Sequence, residues 1–307
     1  MENFFNNLLE FFFIVAGLMF LYSAYKAFGD ETNPKKVGTS IFWAALAVIF
    51  IFGRWLPPIV SGILVIVLGL ITLFNRFSGT GRYKADITFA EKSVEKRGNK
   101  IFIPVVVMAL SAILISRVFP ESSRTVIGIG ATLSLIIAMI LFKASPKEVL
   151  EETDRMVQQV GTTSILPQLL AALGVVFVSA GVGEIVSDLV GQIFPVGSHL
   201  MGSIAYVLGM FIFTIIMGNA FAAFTVITAG IGIPFVLTQG ADPVIAGALA
   251  MTAGYCGTLL TPMAGNFNIL PVALLEIKDE YKVIKAQAPV ALVLLVVHIV
   301  LMYFWAF

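Results

Sequence analysis

SHLMGSIAYVLGMFIFTIIMGNAFAAFTVITAGIGIPF (residues 198–235) carries no Asp, Glu, Lys or Arg. Its first part, Ser198–Met217, is an apolar run about 20 residues long, enough for a helix to cross a hydrocarbon core of about 30 Å. Met217-Gly218-Asn219-Ala220-Phe221 then interrupts it, followed by Thr225, Thr228 and Gly230-Ile231-Gly232-Ile233-Pro234. In lipid every backbone N–H and C=O must find a partner within the protein, so the spanning element has to be a helix. A break rich in Gly and Pro survives at membrane depth only where it is buried or lines a wet cavity. The stretch therefore predicts an all-α membrane fold with discontinuous helices.

The rest of the chain agrees. Of its 307 residues, 59% are hydrophobic and only 12% charged, against roughly 45–50% and about 25% in soluble domains. Its mean hydropathy is +0.98. Further apolar runs are Phe4–Phe28, Thr39–Gly53, Leu56–Leu73, Ile101–Val118, Val126–Phe142 and Val290–Phe307. With the more continuous stretch from Ser164 to Ile277, these predict a polytopic helical bundle of about ten crossings. The first run follows Glu2 with no basic n-region, so it reads as a retained helix rather than a signal peptide. Cys256 is the sole cysteine, which excludes an intrachain disulfide. The nearly neutral net charge of +1 argues against nucleic acid as a partner.

Arg76, Arg82, Lys84, Lys92, Lys96, Arg97 and Lys100 cluster between the third and fourth runs. By the positive-inside rule this loop is cytoplasmic. Counting crossings then places Lys35, Lys36, Lys143, Lys147, Arg155, Lys278, Lys282 and Lys285 inside as well. Both termini fall outside. Residues 1–143 read as five simple helices. Residues 144–162 read as an amphipathic cytoplasmic connector, opened by the capping-box pattern Ser145-Pro146-Lys147-Glu148. Residues 163–307 form a region of broken helices.

Between Arg155 and Lys278 there is no Lys or Arg, and the only acids in that span are Glu184, Asp188, Asp242 and Glu276. Besides the break at Gly218, one falls at Ala180-Gly181-Val182-Gly183-Glu184, in an apolar stretch that ends at Phe194. Another falls at Cys256-Gly257-Thr258-Leu259-Leu260-Thr261-Pro262-Met263-Ala264-Gly265-Asn266-Phe267-Asn268. Small residues also permit close helix packing, and that alternative stands at each single break. Three breaks in one cation-free region, two of them beside Asn and Thr, favour a binding site.

A broken helix presents N–H groups at one half-helix start, suited to a carboxylate, and C=O groups at another half-helix end, suited to a cation such as Na⁺. The substrate-binding candidates are Asn219, Thr225, Gly257, Thr258, Thr261, Asn266 and Asn268. Without a local cationic side chain, a bound carboxylate makes coupling to Na⁺ or H⁺ an expectation. Glu184 and Asp188, spaced i, i+4 on one helix face before Pro195-Val196-Gly197-Ser198, are the coupling-ion candidates. His298 and His199 read as packed or interfacial residues. No nucleotide-binding loop, metal-ligand cluster or nucleophile–base spacing is present in the sequence, so neither an enzyme nor a cofactor is expected.

Met217–Phe224, Thr228–Gly232, Cys256–Asn268 and Ile284-Lys285-Ala286-Gln287 resemble a family of bacterial inner-membrane proteins filed as a domain of unknown function. The specific motifs cover the second half, while length, hydropathy and the charged loop agree throughout. The resemblance implies half of a permease similar to the ion-transporter superfamily of carboxylate carriers. It also implies a second, smaller membrane protein as partner, often encoded near enzymes that release or open 5-oxoproline. The expected function is a subunit of a secondary active transporter for 5-oxoproline or a similar small carboxylate. Its rivals are an accessory or scaffold subunit with no substrate site of its own, and a passive channel.

Overall fold

The computed structural model describes residues 1–79, 94–161, 165–193, 197–265, 267–275, 277–279 and 281–307. Among the positions read from the sequence, Arg82, Lys84, Lys92, Ser164, Phe194, Pro195, Val196, Asn266 and Glu276 lie outside the described residues. Helices account for the regular structure, and no strand occurs among the described residues. The chain divides into two units, Met1–Gly161 and Thr162–Phe307.

The first unit contains α1 (Glu2–Phe28), α2 (Lys36–Phe52), α3 (Pro58–Leu73), α4 (Ile103–Val118), α5 (Val126–Phe142) and α6 (Pro146–Val160). Proline opens α3, α4 and α6 within the first two helical positions, where its missing N–H costs no intrahelical bond. Gly17 lets α1 press onto α2: a Cβ there would come within 2.5 Å of Ile51 Cγ1. Beside this contact Phe20 stacks on buried Trp43, ring centroids 5.5 Å apart.

α6 is tied to this aromatic core. The Trp43 indole N–H donates to Gln158 Oε1 at 2.9 Å, and Gln158 Nε2 donates to the Ser23 carbonyl at 3.2 Å. The helix begins with the expected capping box, Ser145 N–H to Glu148 Oε2 at 2.7 Å and Glu148 N–H to Ser145 Oγ at 3.3 Å. Its contacts assign this helix to the first unit.

The second unit contains α7 (Leu166–Ser179), α8 (Val182–Ile193), α9 (His199–Met217), α10 (Ala220–Ile227), α11 (Pro243–Thr258), α12 (Ile269–Leu274) and α13 (Lys282–Trp305). α9 packs against α10, α11 and α13. Its core is Tyr206, Val207, Met210 and Met217 from α9, Ala246, Ala250 and Ala253 from α11, and Leu295 and Met302 from α13. Small residues bring these backbones close. A Cβ on Gly257 of α11 would lie 2.5 Å from the Phe211 carbonyl oxygen, and one on Gly254 would lie 2.8 Å from Met210 Cε. Packing at this range is what holds helices together where apolar burial gives no advantage over lipid.

Among the described residues, five stretches are long and apolar enough to cross a membrane: Glu2–Phe28, Val94–Val118, His199–Met217, Ala220–Gln239 and Lys282–Trp305. α7 and α8 make a sixth if their bent pair is one span, while α2, α3 and α5 are shorter apolar helices. The molecule is a helical membrane protein.

Candidate functional site

All three breaks expected from the sequence interrupt helices. α9 ends at Gly218, whose φ of +70° lies in the left-handed region that favours glycine. The Gly218 N–H returns to the Thr214 carbonyl at 2.7 Å. Asn219 then caps α10, its Oδ1 accepting from the N–H groups of Phe221 at 2.9 Å and Ala222 at 3.2 Å. These are among the N–H groups that a helix start leaves without intrahelical partners.

The break after α11 is closed from the other direction. Fully buried Asn268 donates through Nδ2 to the carbonyls of Thr258 at 2.8 Å and Thr261 at 2.7 Å. One amide thus serves both oxygens, the Thr261 carbonyl also accepting from the Ala264 N–H at 3.3 Å. The Thr258 hydroxyl donates to the Tyr255 carbonyl at 2.6 Å, and the Thr261 hydroxyl accepts from the Met263 N–H at 3.2 Å.

These two breaks touch. A Cβ on Gly218 would lie 2.6 Å from both the Cβ and the carbonyl carbon of Met263, and 2.7 Å from its oxygen. The start of α10 and the end of α11 therefore meet across Gly218 and Met263. Phe221, Tyr255 and Phe267 flank the junction, with successive ring centroids 6.2 and 6.1 Å apart. Two buried oxygens there have no hydrogen-bond partner, Asn268 Oδ1 and Thr214 Oγ1.

The junction gathers Asn219, Gly257, Thr258, Thr261 and Asn268. Asn266 lies outside the described residues. Thr225 does not join them: it is exposed, and its hydroxyl donates to the Ala222 carbonyl at 2.9 Å. Gly257 serves the α9–α11 packing described above.

The first break forms a separate place. α7 and α8 meet at 69°, around Gly181 with φ +71°. A pocket of about 360 Å³ opens there, lined by Val178, Gly181, Gly183, Glu184, Ser187, Val226 and Ala229. Its far wall is where α10 ends and a π-helical turn, Thr228–Gly232, begins. Gly183 and Gly230 bring the two walls together, since a Cβ on Gly230 would lie 2.4 Å from the Gly183 carbonyl oxygen. Among the described residues of this lining, Glu184 alone is ionisable. Asp188, one turn further along α8, is exposed and outside it. Among the described residues no group of His, Cys, Asp and Glu is arranged to hold a metal ion.

A family profile, described as Protein of unknown function (DUF979), matches residues 10–307. The chain belongs to the DUF979 family. Neither the curated proteins nor the solved structures return a match. The DUF979 match spans both units and all three breaks.

In this DUF979 protein, reading the sequence missed Thr214 and Tyr255. Threonines at Thr225, Thr238, Thr252 and Thr258 each donate to a carbonyl three or four residues back, the usual outlet for a hydroxyl on a membrane helix. Thr214 does not. It faces Gly254 and Gly257, a Cβ on Gly254 lying 3.2 Å from its Oγ1. The one sequence signal was the pair of small residues at i, i+3 on α11, which leaves room opposite a polar side chain.

Proposed function

We propose that this DUF979 protein is a subunit of a secondary active transporter that binds a small carboxylate, 5-oxoproline or a similar metabolite, where the second and third helix breaks meet. The observation that carries the reading is the contact of Gly218 with Met263. It sets the start of α10, a seat for negative charge, beside the end of α11. Asn219 Oδ1 occupies the position that a carboxylate oxygen would take over. Asn268 Oδ1 and Thr214 Oγ1, buried and unpartnered, are the polar atoms left for ligand or co-bound cation.

Glu184, in the pocket at the other end of α10, is the proposed place for the coupling ion, Na⁺ or H⁺. α10 has eight residues and separates the two places by about 12 Å. Movement of this helix would couple them. Counting α2, α3, α5, α11 and the bent pair α7–α8 as crossings brings the bundle to ten. In the bacterial inner membrane both termini would then face outside, and a second, smaller membrane protein would complete the permease.

One observation favours a second reading, an accessory subunit without a substrate site. The polar groups of Asn219, Thr258, Thr261 and Thr225 are bonded to their own neighbouring backbone, as a purely structural break requires. Uptake of labelled 5-oxoproline separates the two. Cells lacking their own carrier would express this chain with and without the smaller membrane protein. Accumulation above the external level that collapses with the ion gradient, and is lost in Asn219→Ala and Glu184→Gln, is the expected result. Unchanged uptake in both variants would leave only the accessory reading.

A further inference from the structure

His298 sits on α13 within the candidate span Lys282–Trp305, half-buried and facing α11. Its Nδ1 lies 2.7 Å from the Leu294 carbonyl oxygen, and its Nε2 lies 2.8 Å from Thr252 Oγ1 on α11. A carbonyl only accepts, so Nδ1 carries a proton whatever the charge on the ring.

The Thr252 hydroxyl decides the other nitrogen. It has one proton and three acceptors in reach: the Ala248 carbonyl at 2.9 Å, the Leu249 carbonyl at 3.1 Å and Nε2 of His298. When the hydroxyl turns toward Nε2, the neutral imidazole has both nitrogens satisfied. When it turns back to its own helix, its lone pair faces Nε2 and accepts an N–H from the charged ring. Both charge states are fully hydrogen-bonded, and passing between them needs only rotation of one hydroxyl.

Other titratable groups leave the ring to itself. α9 carries His199 and Tyr206, α11 carries Tyr255 and Cys256 after its cap Asp242, and α12 carries none. α13 itself carries Lys282, Lys285 and Tyr303. Lys285 is the nearer lysine, and its Cα is about 20 Å away along the helix. None of these groups is bonded to the imidazole: His199 stacks on Phe307 with centroids 4.1 Å apart, and the Tyr206 hydroxyl pairs with Thr228. An ionisable group at membrane depth is costly enough to need a function or a partner. Here the partner suits both states.

We propose that His298 and Thr252 form a reversible proton-binding site between α13 and α11, with the Thr252 hydroxyl as its rotating switch. The site itself stands on this geometry. A part for it in H⁺ coupling, beside Glu184, rests on the transporter reading.

The test is ¹⁵N NMR of the full chain, labelled at histidine and held in lipid nanodiscs. The chain has two histidines, and His298→Gln identifies the signal that matters. The neutral ring is expected as the Nδ1–H tautomer, the less common form in free histidine, with a second proton taken up at Nε2 as pH falls. Thr252→Val, which removes the hydroxyl partner of Nε2, is expected to change the Nε2 signal, and Thr252→Ser to restore it, because charged and neutral rings use the hydroxyl differently.

An Nε2–H tautomer overturns the proposal. So does a ring whose ¹⁵N signals do not respond to pH, or a Thr252→Val spectrum that coincides with the parent's. The spectrum does not depend on transport, so a pH-responsive His298 in a protein that moves no 5-oxoproline discards that substrate and leaves the proton site standing. In a transporting protein, His298→Gln is expected to flatten the dependence of uptake on pH.

Discussion

Replacing Gly218 by alanine puts a methyl group into the contact between the two helix breaks. Two costs follow from the structure. The backbone at φ +70° charges an L-residue about 1–2 kcal/mol. The new Cβ then lies 2.6–2.7 Å from Cβ, C and O of Met263, and forcing atoms into a filled site costs about 1–3 kcal/mol. Together they predict a loss of about 2–5 kcal/mol.

Gly240→Ala separates the two terms. Its φ is +101°, but nothing lies within 4 Å of the position its Cβ would take, so it should cost the backbone term alone. Reversible unfolding of the full chain in bicelles would measure both variants. Gly218→Ala is expected to exceed Gly240→Ala by about 1–3 kcal/mol. Met263→Ala should not rescue it, since the three crowding atoms are C, O and Cβ, all of which alanine keeps. Equal losses in the two glycine variants would mean that the breaks do not touch, and the proposed site would go with the contact.

Asn268→Ala removes the side-chain donor of the buried Thr258 carbonyl and one of the two donors of the Thr261 carbonyl. The same unfolding measurement should show a loss of about 1–3 kcal/mol, and a loss below about 0.5 kcal/mol would show that the amide does not close the break. Glu148 is held below its ordinary value of 4.5 first by the Ser145 backbone N–H and then by the Ser145 side chain. A carboxyl depressed on folding stabilises above its unfolded pKa, and that contribution is lost as pH falls through the folded one. Amide exchange at the start of α6 should therefore quicken as pH drops below about 4, after correction for intrinsic rates, and Glu148→Gln should abolish the change. A pH-independent protection factor would show that the capping box is not formed.

Much of the fold was legible because lipid restricts the options. Gly-Asn at 218–219 and Gly-Thr-Leu-Leu-Thr-Pro at 257–262 had to interrupt helices, since Gly and Pro in apolar runs weaken the helix while its polar groups still need partners. Ser-Pro-Lys-Glu at 145–148 announced a helix start through local geometry alone. Thr225 looked equivalent to Thr258, yet it turns outward. Which face of a short helix is inward depends on neighbours far away in sequence. The crossing number was less legible, because run length and helix length differ: α2, α3 and α5 have 17, 16 and 17 residues, at the lower edge of what spans a bilayer.

By itself, then, the sequence determined an all-helical membrane protein with breaks at Gly181, Gly218 and Thr258–Asn268. Hydropathy, charge placement and the conformational freedom of glycine are local properties of the chain. Tertiary structure alone decided that Gly218 meets Met263, that Asn268 reaches back to close α11, that Thr214 is left with an unused hydroxyl, and that Thr252 faces His298 across two helices. Those pairings arise from packing between distant segments, where a missing Cβ or one rotated hydroxyl determines which groups touch, and no local pattern records them.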